Sequence, residues 1–232
     1  MESGNPYEIP EEYMPLINRS VDDIFHTIDE AKQNEKKEWV LSGNKAEFKL
    51  WIKSEPSCTT TFSESTVHVP VNMMLEHCTD ESISKMLDYF YEREEVQKKI
   101  CDHLVDTILV YRGIWPISGR YFHVYRHWRV LSEGQYLVCW FDVPNSAPME
   151  KMGKKVLGSM LSAYLFQAID EHTSKATMLA SLKLNGSIPT CVQNTVNSDI
   201  PYQLTRLGEY LSNHKYVEKK HEPYKNEDKL FV

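Results

Sequence analysis

No run in this chain approaches the ~18 consecutive apolar residues of a membrane-spanning helix. Its start, MESGNPYEIPEEY, is acidic and proline-bearing and lacks the apolar stretch of an export signal. Positive charge is also short. Lys and Arg number 26 against 33 Asp and Glu, a formal charge of −7, so DNA or RNA is not an expected partner. A disulfide framework is missing too. Cys58, Cys78, Cys101, Cys139 and Cys191 are odd in number, widely spaced and mostly in apolar neighbourhoods, which is the pattern of reduced core thiols. The expected location is cytoplasmic, peripheral to membranes at most, and the sequons at Asn18 and Asn185 then carry no weight.

Catalytic signatures are absent as well: there is no G-x-S-x-G, P-loop, G-x-G-x-x-G or H-E-x-x-H. Ser82-Ile83-Ser84-Lys85 matches S-x-x-K without the companion motifs. His123 and His127 on one strand stand ~13 Å apart at ~3.3 Å per residue, too far to share an ion. Cys101 and His103 share a strand face but have no second pair nearby. No catalytic residue, metal ligand or cofactor is expected.

What is present is an ordinary globular composition, 41% apolar and 25% charged over 232 residues. It suits a single domain over 1–213 with a charged tail at 214–232. Ile17, Val21, Ile24, Phe25, Ile28 and Ala31 have helical spacing, ended by Asn34. Trp39–Ser42, Phe48–Lys53 and Thr59–Val69 read as a three-strand meander. Val71–Cys78 and Ser82–Tyr91 read as short helices, the second with Asp80 as N-cap. Six strands follow: Glu95–Asp102, Leu104–Tyr111, Tyr121–Leu131, Gln135–Val143, Val156–Ile169 and Ala176–Leu184. A last helix opens at Ser187-Ile188-Pro189 and runs through Val192, Val196, Ile200, Leu204 and Leu207 to Leu211, with a kink at Pro201. The fold class is α+β, a curved antiparallel sheet of about nine strands wrapped around the C-terminal helix. Space between sheet and helix that side chains do not fill becomes a pocket.

One residue breaks the apolar pattern. On the strand Tyr121–Leu131, alternation puts Phe122, Val124, Arg126, Trp128 and Val130 on one face. A buried Arg126 requires a carboxylate, a water-filled cavity or a polar ligand group, since desolvating a guanidinium costs several kcal/mol. Asp106 and Asp142 are both candidate partners; a position at the sheet margin, reaching solvent, is the other reading. Met160, Tyr164, Met178, Leu182 and Leu184 lie on strands apolar on both faces, a pattern that packed core shares with a lined cavity.

Asn185-Gly186-Ser187-Ile188-Pro189, followed by Cys191, Val192, Asn194 and a kinked Leu-rich helix, resembles the C-terminal signature of START domains. Pro116-Ile117-Ser118-Gly119-Arg120-Tyr121-Phe122 is similar to the family's proline-rich loop and following Arg-Asp-aromatic, with Tyr121 in place of the Asp. Leu87-Asp88 stands where Trp-Asp is common. The resemblance implies a helix-grip fold with one lipid, phospholipid or sterol, in an internal tunnel gated by the C-terminal helix. It also implies a tunnel-facing Arg126, because several sterol-type members carry an arginine at that position. Taken together, the lipid contacts expected are Asp106, Phe122, Val124, Arg126, Trp128, Trp140, Met160, Tyr164, Met178, Leu182, Val192, Val196 and Leu204. The expected partners of this monomer are one lipid molecule and, transiently, a membrane surface. Met149, Met152, Lys151, Lys154 and Lys155 in the loop Pro144–Lys155 offer one docking point, against an ordinary solvated loop. The rival of another class is a helix-grip enzyme, a cyclase or hydrolase, using Arg126, Asp106 and Tyr164 on a hydrophobic substrate.

Overall fold

The computed structural model describes residues 8–45, 47–55, 58–78, 80–186, 188 and 199–213. The first helix, α1, spans Met14–Gln33 and buries Ile17, Val21, Ile24, Ile28 and Ala31 along one stripe. It stops at Asn34, which takes the left-handed conformation at φ 45° while its N–H donates to the Glu30 carbonyl. The Asn34 side chain donates to the Trp39 carbonyl at 2.9 Å and accepts from the Trp39 N–H at 3.0 Å. One short amide thus ends the helix and anchors the start of the sheet.

The strands are β1 Val40–Lys45, β2 Phe48–Glu55, β3 Cys58–Val67, β4 Tyr91–Cys101, β5 Leu104–Tyr111, β6 Arg120–Ser132, β7 Gln135–Asp142, β8 Val156–Leu157, β9 Ser159–Ala168 and β10 Ser174–Lys183. They form one sheet in the order β1-β2-β3-β10-β9-β7-β6-β5-β4, with β8 beside β6. The pairs along that order are antiparallel, and β8 pairs with β6 in parallel. The sequence reading has one strand over Val156–Ile169. Gly158 divides it, because a Cβ there would lie 2.4 Å from Phe122 Cε1. The Gly158 N–H donates instead to the Tyr121 carbonyl.

Two faces of this sheet are buried. The outer one packs against α1 through Phe62, Leu137, Cys139, Phe141, Ala163 and Leu179. The inner one packs against α2 (Val71–His77), α3 (Glu81–Leu87) and α4 (Gln203–Asn213). Central strands covered on both sides carry apolar residues on both sides, which explains the loss of alternation in β9 and β10.

Three boundaries differ from the sequence reading. Asp80 caps α3 as expected, its Oδ1 accepting from Ser82 N at 2.8 Å. The helix ends at Leu87 and not Tyr91, because the Asp88 carboxylate turns the chain by accepting from Phe90 N at 2.8 Å. Strand β4 consequently starts at Tyr91, earlier than the expected Glu95. Pro201 lies in a 3₁₀ turn, Ile200–Tyr202, just ahead of α4. There its missing N–H removes no bond from α4, while the segment ahead of Asp199 through which the expected kinked helix would run lies outside the described residues. The expected opening at Ser187-Ile188-Pro189, with Val192 and Val196, and the tail 214–232 fall largely or wholly outside the described residues. Helix α4 approaches the sheet closely at Gly208, where a Cβ would stand 2.6 Å from Val67 Cγ1.

Candidate functional site

Between the inner face of the sheet and the helices α3 and α4 lies a cavity with about 1350 Å³ of empty space, part of it open to solvent. Strands β4, β5, β6, β7, β9 and β10, the two helices and the loop 112–119 all contribute to its wall. Most of the wall is hydrocarbon and aromatic ring: Leu109, Phe122, Trp140, Met160, Met178, Leu182, Leu204 and Leu207. Tyr91, Tyr111 and Phe122 pack edge to face in series, and so do Trp140 and Tyr164.

The polar groups of the wall are few and specific. Arg126 points inward, and its Nη1 lies 3.0 Å from both carboxylate oxygens of Glu94 on β4. Thr107 Oγ1 donates to the same carboxylate at 2.9 Å. Both partners are mostly withdrawn from solvent, with side chains 19% and 10% exposed. A second group joins the sheet to α4: Tyr164 Oη donates to Gln203 Oε1 at 2.9 Å, and Gln203 Nε2 donates to Asp88 Oδ2 at 2.8 Å. Burial raises the Asp88 carboxyl above the usual range, opposed by the Phe90 N–H. Burial also pushes the hydroxyls of Tyr91, Tyr111 and Tyr164 upward and the Cys78 thiol up to about 12, so all stay neutral.

At one end, Arg120 donates to the carbonyls of Leu184 (2.7 Å), Asn185 (3.0 Å) and Ser118. This buried guanidinium holds the turn after β10 against the loop before β6, and the loss of solvent lowers its pKa. The turn takes left-handed backbone at Asn185, φ 47°, and Gly186, φ 71°. Ile114 and Ile117 of the loop 112–119 face the cavity, while Trp115 on the same loop is 92% exposed. Tyr89 and Met86 are exposed nearby in sequence to the wall residues Leu87, Asp88 and Phe90, and the Arg112 guanidinium sits 5.4 Å from the Tyr89 ring centre.

Of the residues expected from the sequence, Phe122, Arg126, Trp140, Met160, Tyr164, Met178, Leu182 and Leu204 line the cavity. Val124 is fully buried in the same apolar cluster and does not reach the lining. Trp128 packs on His103, ring centres 4.0 Å apart, and gives its indole N–H to the Asp102 carbonyl. Val192 and Val196 lie outside the described residues. Asp106 is a correction: Leu109 and Tyr111 are the β5 residues that face the cavity, so alternation turns Asp106 outward. There it binds His123 Nε2 at 2.9 Å. The other candidate partner of Arg126, Asp142, is also engaged elsewhere, accepting from Met160 N at 2.9 Å and from Ser159. The actual partner, Glu94, escapes a reading by alternation because the segment Glu92-Arg93-Glu94-Glu95 carries no apolar rhythm.

Ser146 completes a chain with His123 and Asp106, its Oγ 2.9 Å from His123 Nδ1. The residue types are those of a hydrolytic triad, but the Ser146 hydroxyl donates to the Val143 carbonyl at 2.7 Å and none of the three lines the cavity. The loop 144–155 is likewise engaged. Lys155 pairs with Glu92 at 2.7 Å and Lys151 with Glu95 at 3.2 Å, while Met152 is buried. Among the described residues no group of three or more potential metal ligands occurs.

The START domain family matches residues 27–215, which covers most of the chain. This chain belongs to the START family. Its fold is shared with human StAR-related lipid transfer protein 5, at a TM-score of 0.66 and 14% identity over 86% of this chain and 98% of that one. Human STARD10 superposes at 0.63 with 17% identity, over 83% of both chains. The StAR-related lipid transfer protein fragment of Xanthomonas axonopodis superposes at 0.62 with 17% identity, over 76% of this chain and 99% of the fragment. A search of curated protein sequences finds no match. The helix-grip arrangement thus stands for this START domain, with a tenth, two-residue strand added to the nine expected.

Proposed function

We propose that this START domain carries one lipid molecule in the cavity and transfers it between membranes, with α4 and the loop 112–119 as the moving gate. The carrying observation is the wall itself, an apolar enclosure too large to be a packing defect and furnished with only a few polar groups. A lipid chain gains ~0.8 kcal/mol per buried methylene, so exposing a 16-carbon chain in transit costs on the order of 12 kcal/mol. A carrier must therefore stay closed in water and open at a membrane. START-type solved structures named for lipid transfer share the fold and support the same reading.

The membrane-facing surface in this reading is Trp115 with Tyr89, Met86 and Arg112, and not the loop 144–155, where two lysines are paired with glutamates. Exposed aromatic rings beside a cation suit the interface of an anionic bilayer. A non-enzymatic role fits the wall, which contains no histidine among its described residues and a Cys78 thiol held neutral, its S–H donated to the Leu75 carbonyl.

Locking the gate tests the proposal. A Cβ on Gly208 would lie 3.1 Å from Val67 Cβ, close to the ~3.5–4.5 Å span of a disulfide. Val67→Cys with Gly208→Cys, oxidised, is expected to stop transfer of a fluorescent lipid between vesicles and to release it on reduction. Equal transfer rates in the oxidised and reduced forms would refute the gate.

A further inference from the structure

We propose that the cavity reduces hydroperoxides of the lipids it carries, one oxygen atom passing from the peroxide to the thioether sulfur of Met160 or Met178. The inference rests on the lipid-carrying reading above and adds a chemical step to it.

Two thioethers belong to the wall. Met160 on β9 and Met178 on β10 both line the cavity and are only 7% and 3% exposed. In the register of the two strands Met160 stands opposite Leu182 and Met178 opposite Tyr164. Leu182 and Met178 are four residues apart on β10, which puts the two positions ~13 Å apart along the wall at ~3.3 Å per residue. A lipid chain lying along this wall passes both.

A thioether has no proton to lose, so its oxidation by a peroxide to the sulfoxide does not wait on deprotonation. The sulfur bonds to the terminal peroxide oxygen as the O–O bond breaks, and the alkoxide that leaves takes up that oxygen's proton. The products are a lipid alcohol and a methionine sulfoxide. The two electrons that reduce the peroxide come from the sulfur, and no third reactant enters. Among the described residues the other sulfur of the wall is Cys78, which does not compete. A thiol reacts with peroxide as the thiolate, whereas burial pushes Cys78 up to about 12 and its S–H is donated to the Leu75 carbonyl.

Position selects the oxidant. An oxidant dissolved in water meets Met86 first, which is 51% exposed. Met160 and Met178 are met by an oxidant that itself partitions into apolar space, and holding it there turns a bimolecular encounter into a contact within one complex. A lipid hydroperoxide has both properties. Met73 and Met74 on α2 are buried in the same apolar cluster without reaching the lining, so they are expected to stay reduced. The sulfoxide is polar and disfavours the next apolar chain, which makes the step stoichiometric, one oxygen per thioether.

The test loads the protein from vesicles of dilinoleoyl phosphatidylcholine, dilinoleoyl phosphatidylethanolamine, linoleic acid and cholesterol, each supplied half as its hydroperoxide, with a chelator present to suppress metal-driven radical chemistry. After re-isolation, mass spectrometry quantifies the bound hydroperoxide, the alcohol formed and the oxygen on each methionine. Bound hydroperoxide is expected to become alcohol at least about tenfold faster than in vesicles without protein. Sulfoxide at Met160 and Met178 together should equal the alcohol formed and exceed that at Met86, Met73 or Met74 about tenfold, whereas hydrogen peroxide should mark Met86 first. Met160→Leu with Met178→Leu is expected to leave the hydroperoxide intact, counted per lipid bound so that a change in loading does not enter. Hydroperoxide that persists on the unaltered protein, exclusion of hydroperoxides while their parent lipids are carried, or oxygen found equally on Met86 would each overturn the step, and none of these needs a variant to fold. Equal conversion by the folded double variant would overturn it too. If no lipid of any kind is recovered, the carrier reading itself falls and the step with it, an outcome distinct from the others.

Discussion

Removing Arg126 or Glu94 singly is expected to hurt the fold far more than removing both. In Arg126→Met the Glu94 carboxylate, 10% exposed in the native fold, keeps only the Thr107 hydroxyl, 2.9 Å away. Breaking one half of a buried ion pair costs ~3–5 kcal/mol, and water in the cavity brings this towards the lower figure. In a domain of this length each kcal/mol moves Tm by ~2–4 °C, so a loss of about 3 kcal/mol lowers it by ~6–12 °C. Glu94→Gln exposes the mirror problem, an uncompensated guanidinium, and is expected to lose a similar amount. Combining Arg126→Met with Glu94→Gln leaves no charge at this pair and returns most of the stability, to within ~1 kcal/mol of the native protein. The coupling read from calorimetry or urea titration of the four proteins is then about 5 kcal/mol. Additive single effects, with coupling under ~0.5 kcal/mol, would show that water already solvates the two charges.

Asn34→Ala forces an alanine to φ 45° and deletes both side-chain bonds to Trp39; a loss of about 1–2 kcal/mol in urea is expected, and an unmoved midpoint would contradict the anchoring role. His127 is held neutral by burial, its pKa pushed down to about 4 and its Nε2 without a partner. Since its folded value is below its unfolded one, the unfolded chain takes the proton first as pH falls. Stability is therefore full above ~pH 6.5 and drops by about 3 kcal/mol towards pH 4, and His127→Gln is expected to flatten that slope; a slope unchanged in the variant would assign the effect elsewhere. Trp115→Ala, at a position 92% exposed, is expected to leave Tm unmoved while weakening adhesion to anionic vesicles about tenfold in a flotation assay. Equal adhesion would remove Trp115 from the docking surface.

The sheet and the helices were legible because the residues that make them repeat locally: the α1 stripe, the turn residues between strands, and the alternation on β6 that puts Arg126 among apolar neighbours, though not that α1 covers the outer face. The resemblance at Arg120 and Asn185-Gly186 supplied the closure that periodicity alone leaves open. What escaped depends on contacts between distant segments. Asp106 is on the wrong face because alternation says which residues share a side, not which side holds the cavity; β5 settles that through Leu109 and Tyr111. Glu94 is hidden in a charged edge strand, and its significance appears only when β4 pairs with β5 and β5 with β6. Gln203 reads as an ordinary helix residue until α4 brings its amide to Asp88, 115 residues away in the chain. Gly158 ends a strand for a reason visible only in the Phe122 ring beside it.

The central claim, that the cavity holds one lipid, is tested most directly by native mass spectrometry of the purified protein after incubation with mixed-lipid vesicles. A single additional mass of one lipid per chain is predicted, lost when the wall is filled by Ala180→Trp in a variant that still folds, because Ala180 lies on the cavity lining. A protein that remains at its bare mass with every lipid offered would contradict the account.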